Sequence, residues 1–156
     1  MVETLSGGTG RRIVLATAIA GTLDIGMAAI ETARAGKPVA GMLRSVASGP
    51  VPDAANWGAA GSALGLAVHF AIMAVMAAVF ILARDRIAWV RADTLLAAAL
   101  YGVVLWLVMY GLVLPLRFGA PFPSHDPTAL AKQLFAHVVL VGLTIGLVAQ
   151  SGSRDG

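Results

Sequence analysis

Four long apolar runs, each with few charges, follow one another along the chain. They cover residues 13–34, 61–83, 94–114 and 129–150, and the stretches between them contain most of the charged residues and all the prolines. A helix of about 20 residues crosses a hydrocarbon core of about 30 Å. The pattern therefore predicts an all-α membrane protein, a four-transmembrane-helix bundle that forms a single membrane domain over residues 1–156.

The longest connection, between the first and second runs, has a helical pattern of its own. Val39, Met42, Leu43 and Val46 occupy positions i, i+3, i+4 and i+7, which form one apolar face of a short helix. A proline before this face and a glycine–proline pair after it mark the two ends. We therefore predict an amphipathic helix over residues 38–48, lying in the membrane interface or against the mouth of the bundle.

Composition restricts the class of protein and its partners. Of the 156 residues, 58% are hydrophobic and 12% are charged, whereas soluble domains carry about 25% charged residues. The absence of cysteine excludes disulfides, thiolate metal sites and iron–sulfur clusters. The basic residues are spread over the span ends and form no continuous run, so the predicted partner is membrane lipid and not a nucleic acid.

The basic residues also predict an orientation. If the four spans alternate, six Lys and Arg lie on the side of the amino terminus and five on the other. Three of the six, Arg84, Arg86 and Arg91, are clustered in the short second connection. Because Lys and Arg are in excess in cytoplasmic loops, we predict that both termini are cytoplasmic.

Each span carries a polar or amphipathic side chain at a similar depth. Asp24 lies roughly 15 Å from the outer end of its span, where a charge costs at least about 2.5–3.5 kcal/mol if it faces lipid. His69, Trp106 and His137 each lie roughly 12 Å from that same side of the bundle. Glu31, seven residues after Asp24, continues the same helix face towards the surface. The pattern predicts a polar layer in the outer half of the bundle.

One interpretation of this layer is structural. Asp24, His69 and His137 would then fix how four apolar helices pack together, and the layer would hold a small ligand as well. No G-x-S-x-G, H-E-x-x-H or phosphate-loop motif is present, so the sequence favours a protein that is not an enzyme.

A second interpretation is a cofactor site. The second and fourth spans run in the same direction, so His69 and His137 could be the axial ligands of haem b. The propionates would then meet basic residues of the outer loops, namely Lys37, Arg44, Arg117 and Lys132. Alternatively, His69, His137 and Asp24 could hold a transition metal such as zinc.

A third interpretation is proton-coupled transport through Asp24, because a carboxylate beside a histidine is a usual component of a proton relay. Four short spans rarely enclose a pathway, so a transporter of this size would be a homo-oligomer. Two Gly-x-x-x-Gly pairs, Gly61 with Gly65 and Gly142 with Gly146, provide faces on which helices could approach closely.

Several segments of the chain are similar to one known family. They are AGTLDIGMAA in the first span, GKPVAGMLRSVASG in the first loop, GLAVHF in the second span, LYGVVLWLVM in the third and HVVLVGLTIGL in the fourth. Together they resemble a widespread family of uncharacterised four-span bacterial inner-membrane proteins, over roughly residues 16–149. The resemblance implies a fold and a location but no activity, and it marks Asp24, the loop helix and His69.

Overall fold

The computed structural model describes the backbone of residues 2–151 and the side chains of residues 8–151, and its secondary structure is helical. The long helices are α1 (Val2–Arg34), α3 (Gly58–Arg86), α5 (Thr94–Phe118) and α6 (Pro127–Ser151), and the short ones are α2 (Val39–Ala47) and α4 (Ala88–Ala92), with a 3₁₀ turn at Pro52–Asn56. Four helices are long and apolar enough to cross a membrane. The predicted all-α four-helix membrane bundle is therefore confirmed.

The third span ends later than the apolar pattern predicts. The sequence analysis ends this span at residue 114, whereas α5 continues through Pro115 to Phe118 and is ended by Gly119 at φ 65°. The segment that ends two residues before the proline, Leu107–Val113, is wound as a π-helix. In an α-helix a proline clashes with the carbonyl four residues earlier. The wider π turn moves that carbonyl away, so the helix passes the proline without ending.

The four long helices pack in a fixed order. α1 packs against α3 and α6, and α5 packs mainly against α6. α3 and α5 touch near the end of the bundle that holds the short helix α4, where the Tyr101 hydroxyl donates a hydrogen bond of 3.0 Å to the Met76 carbonyl. We call this the α4 end, and the opposite end, where α2 lies, the α2 end.

Glycines allow the closest contacts between helices. A Cβ on Gly65 would lie 1.8 Å from the Leu43 carbonyl oxygen, so α2 rests directly on the backbone of α3. A Cβ on Gly142 would lie 2.5 Å from the Ala98 carbonyl oxygen, so α5 and α6 touch in the same way. Both Gly-x-x-x-Gly faces are thus buried by contacts within the chain. A homo-oligomer stays a prediction, and its interface would use other residues.

An arginine ties three helices together at the α4 end. The Arg12 guanidinium donates hydrogen bonds of 3.0 and 2.6 Å to the two carboxylate oxygens of Asp85 in α3. It also donates one of 3.2 Å to the Ala149 carbonyl in α6. The described beginning of α1 and the end of α6 therefore lie at the same end of the bundle, as four alternating spans require.

Candidate functional site: a polar cavity beneath α2

A cavity of about 450 Å³ lies in the half of the bundle next to α2, where all five of the helices α1, α2, α3, α5 and α6 contribute to its wall. Most of the wall is apolar. The polar side chains that line it are Asp24, Glu31, His69, Tyr110, Lys132, Gln133 and His137. A cavity of this size, apolar with a few converging polar groups, is typical of a site for a small molecule.

Asp24 and His69 form the centre of the polar lining. Their side chains are 20% and 10% exposed, and Asp24 Oδ2 lies 3.9 Å from His69 Nδ1. The other imidazole nitrogen, Nε2, lies 2.9 Å from the Gly21 carbonyl oxygen. A carbonyl can only accept, so Nε2 carries the hydrogen. In a neutral His69 the nitrogen beside Asp24 is therefore a hydrogen-bond acceptor.

His137 is held in a similar way on α6. Its Nδ1 donates a hydrogen bond of 3.1 Å to the Gln133 carbonyl one turn earlier, so Nε2 is the acceptor nitrogen of the neutral ring. The Tyr110 ring meets the imidazole edge to face, with 5.4 Å between the ring centres. Asp24, His69 and His137 line the same cavity. The structural role predicted for these three residues stays a prediction.

Two π-helical segments shape the wall opposite Asp24. One is Leu107–Val113 in α5, which carries Tyr110, and the other is Phe135–Leu143 in α6, which carries His137. A π turn displaces the side chains that follow it relative to an α-helix, and such turns are frequent at functional sites. Both irregular segments of the bundle therefore coincide with the cavity.

An ion pair lies on the α2 side of this centre. Glu31, one of the predicted layer residues, pairs with Lys132 of α6, and it also accepts a hydrogen bond of 3.3 Å from Arg34. Because Glu31 is seven residues from Asp24, the lining extends roughly 10 Å along α1 from the acidic centre to this pair.

Four of the predicted site residues do not line the cavity. The indole of Trp106 donates a hydrogen bond of 3.3 Å to the Gln133 side chain, so it lies behind the wall. Arg117 donates hydrogen bonds of 2.9 and 2.7 Å to the carbonyls of Gly49 and Ser48, which fixes the end of α2. Lys37 is exposed and Arg44 packs over Gly61.

The haem and metal hypotheses need several free ligands in one place. The Nε2 atom of His69 already bonds to the Gly21 carbonyl, which leaves only the nitrogen beside Asp24. Within residues 8–151 no three His, Asp or Glu side chains lie close enough to hold one metal ion. The geometry therefore adds no support to either hypothesis, and both stay predictions.

Much of the apolar wall is not among the residues predicted from the sequence. Five of the six methionines of the chain line the cavity, namely Met27, Met42, Met73, Met76 and Met109. Met73 and Met76 follow His69 at i+4 and i+7, a spacing that places all three on one helix face. Tyr110 was also missed, because its nearness to His137 depends on how α5 packs against α6.

Comparisons of the chain with protein-family models, with curated proteins and with solved structures found no match. The resemblance to the four-span family stays a prediction. The chain is an integral membrane protein by its four apolar helices.

Proposed function

We propose that this protein binds a small amphipathic molecule in the cavity beneath α2 and that it is not an enzyme. The proposal rests on one observation. Asp24, His69 and His137 line the same cavity of about 450 Å³, and the rest of its wall is largely apolar. Such a cavity suits a molecule with one polar group and a hydrocarbon part. The same polar groups also fix the packing of α1 against α3, through the bond from His69 to Gly21.

Access from the bilayer supports an amphipathic ligand. Near the α4 end, α3 and α5 are joined by the Tyr101 hydrogen bond and by the contact between the rings of Phe80 and Tyr101. Towards the α2 end the cavity lies between the two helices, with Ile72 on one side and Leu114 on the other. Ile72 is exposed on the apolar surface of the bundle, and we propose that a molecule dissolved in the lipid enters beside it without crossing the charged surface.

The lining also supports binding rather than catalysis. Among the described residues around the cavity there is no Ser, Thr or Cys, so no aliphatic hydroxyl or thiol nucleophile lies beside His69 or His137. The methionines give an adaptable surface, because the unbranched thioether side chain changes shape easily and contacts many apolar ligands.

The test is to identify what the purified protein carries. Protein extracted into lipid nanodiscs is denatured in organic solvent, and the released molecules are identified by mass spectrometry. Ala28→Leu fills part of the cavity, whereas Ala18→Leu adds the same atoms to an exposed position of the same helix. We expect a released molecule that is depleted in Ala28→Leu and retained in Ala18→Leu. Equal amounts in both variants would refute the proposal, and an absorption spectrum of the same sample tests for haem.

We also propose that the protein is in a bacterial inner membrane with both termini in the cytoplasm. The support is the cluster of basic side chains at the α4 end, which includes Arg12, Arg84 and Arg91. Because the chain has no cysteine, a single cysteine at Ser45 on α2 can be labelled alone. A membrane-impermeant maleimide should label it from the outside of spheroplasts, and protection there would reverse the orientation.

A further inference from the structure

The hydrogen-bonding roles of the two histidines restrict the ligand further. His69 uses its Nε2–H on the Gly21 carbonyl, and His137 uses its Nδ1–H on the Gln133 carbonyl. As neutral rings, both have only an acceptor nitrogen left. Asp24, when ionised, also only accepts. Asp24 and the two histidines therefore offer acceptors and no free donor, which suits a ligand that donates hydrogen bonds and carries positive charge.

From this arrangement we propose that the molecule bound in the cavity is an amphipathic amine, whose ammonium group bridges Asp24 and His69 and whose hydrocarbon part lies among the methionines. The inference rests on the proposed function, since it names the chemical class of the ligand for the same cavity.

The distance between the two acceptors fits this bridge. An ammonium nitrogen makes charge-assisted hydrogen bonds of about 2.8 Å, and two of its tetrahedrally arranged hydrogens reach acceptors about 4 to 5 Å apart. Asp24 Oδ2 and His69 Nδ1 are 3.9 Å apart, which is too long for a direct hydrogen bond and near the span of one ammonium group. Asp24 and His69 are both acceptors and cannot bond to each other directly, whereas a bridging ammonium group donates a hydrogen bond to each.

The ammonium ligand and a proton compete for Asp24, because each neutralises the carboxylate. A lone ionised carboxylate at this depth is costly, and a proton on Asp24 neutralises it. An ammonium ligand supplies the positive charge instead and releases that proton. The other titratable side chains around the cavity are Glu31 on α1, Tyr110 on α5, and Lys132 and His137 on α6. Glu31 and Lys132 neutralise each other as an ion pair, so they leave the sign of the centre unchanged.

The apolar part of the ligand has a place as well. Met73 and Met76 lie on the same face of α3 as His69, and Met109 lies across the cavity on α5. Ile72, which also lines the cavity, is exposed on the outer surface of the bundle. A single alkyl chain can therefore follow the methionines from the acidic centre to the bilayer.

The experiment compares two probes of equal chain length, octylamine and octanol, on the full chain in nanodiscs. Saturable binding is measured by calorimetry, with empty nanodiscs as the control for partition into lipid. We expect octylamine to bind at least roughly tenfold more tightly than octanol, since a hydrogen bond to a charged group is stronger than one between neutral groups. We also expect its affinity to fall by up to about tenfold per pH unit on acidification, because one proton competes with it.

Two variants test whether Asp24 causes the preference for octylamine. Asp24→Asn should abolish the preference for octylamine and its pH dependence, whereas Asp53→Asn makes the same change of charge at an exposed position outside the cavity and should preserve both. If Asp24→Asn does not fold, the comparison of octylamine with octanol on the unaltered chain still tests the preference for an ammonium group, since that comparison needs no variant.

Four results would overturn the inference. Equal binding of both probes, unchanged in Asp24→Asn, would leave an amphiphile site without preference for cations, so that the proposed function survives alone. If neither probe bound and mass spectrometry recovered a neutral molecule, the proposed function would likewise survive alone. If neither probe bound and no molecule were recovered, both proposals would be refuted. Stabilisation by Ag⁺ that is lost in Met73→Leu, without octylamine binding, would instead identify a soft-metal site.

Discussion

The contact between α2 and α3 is open to a sharp test at Gly65. A Cβ at this position would lie 1.8 Å from the Leu43 carbonyl oxygen and 2.6 Å from its carbonyl carbon. Both are backbone atoms of α2, so no side chain can rotate out of the way. Because ordinary contacts are about 3.5 Å, Gly65→Ala must push α2 away from α3 by roughly 1.5 Å.

The displacement has a cost that can be compared with the gain in helix propensity. Overpacking of this kind costs about 1–3 kcal/mol, whereas alanine is favoured over glycine inside a helix by about 1 kcal/mol. We therefore expect Gly65→Ala to lower the free energy of unfolding by up to about 2 kcal/mol. The hydrogen bond of 3.0 Å from Ser62 to the Ala40 carbonyl, which also ties α3 to α2, should break.

Gly26→Ala is the matched control, since a Cβ there has no atom within 4 Å outside its own helix backbone. This variant should be as stable as the unaltered chain or more stable. The assay is thermal unfolding in detergent, combined with spin-label distances between single cysteines placed on α2 and α6 of the cysteine-free chain. An unchanged distance and undiminished stability in Gly65→Ala would refute the close packing of α2 on α3.

Three further predictions concern the supports of the site. Gly102→Ala should destabilise the protein by up to about 2 kcal/mol and lower ligand retention, because its Cβ would lie 2.5 Å from a backbone oxygen of α6. Gly111→Ala, with no contact closer than 3.4 Å, should do neither, and mass spectrometry of the bound molecule checks both. Arg117→Ala should speed amide hydrogen exchange at the end of α2, which loses two hydrogen bonds to its carbonyls, while exchange in α6 stays unchanged. In a double-mutant cycle, Arg12→Ala and Asp85→Ala should show a coupling energy of about 1–3 kcal/mol, and simple additivity would contradict the observed paired hydrogen bonds.

The sequence by itself determined the architecture. Membrane-spanning helices are read from length and hydrophobicity, since the hydrocarbon core admits no other arrangement of an apolar 20-residue segment. The loop helix was predicted over residues 38–48 and is observed at Val39–Ala47, because its apolar positions repeat with the period of a helix. The cost of a carboxylate in lipid likewise marks Asp24 as a site residue from the sequence alone.

Tertiary structure decided which residues share the cavity. Depth along each helix predicted that Trp106 would join His69 and His137, but depth does not determine which way a helix is turned, and the structure turns the indole towards Gln133. The Gly-x-x-x-Gly spacing predicted close helix contacts, whereas only the packing shows that their partners are α2 and α5 of the same chain. The bond of His137 to Gln133 is local, but the meeting of methionines from four helices, the place of Tyr110 beside His137 and the acceptor role of His69 arise from contacts between residues far apart in sequence. No periodic pattern along the chain encodes them.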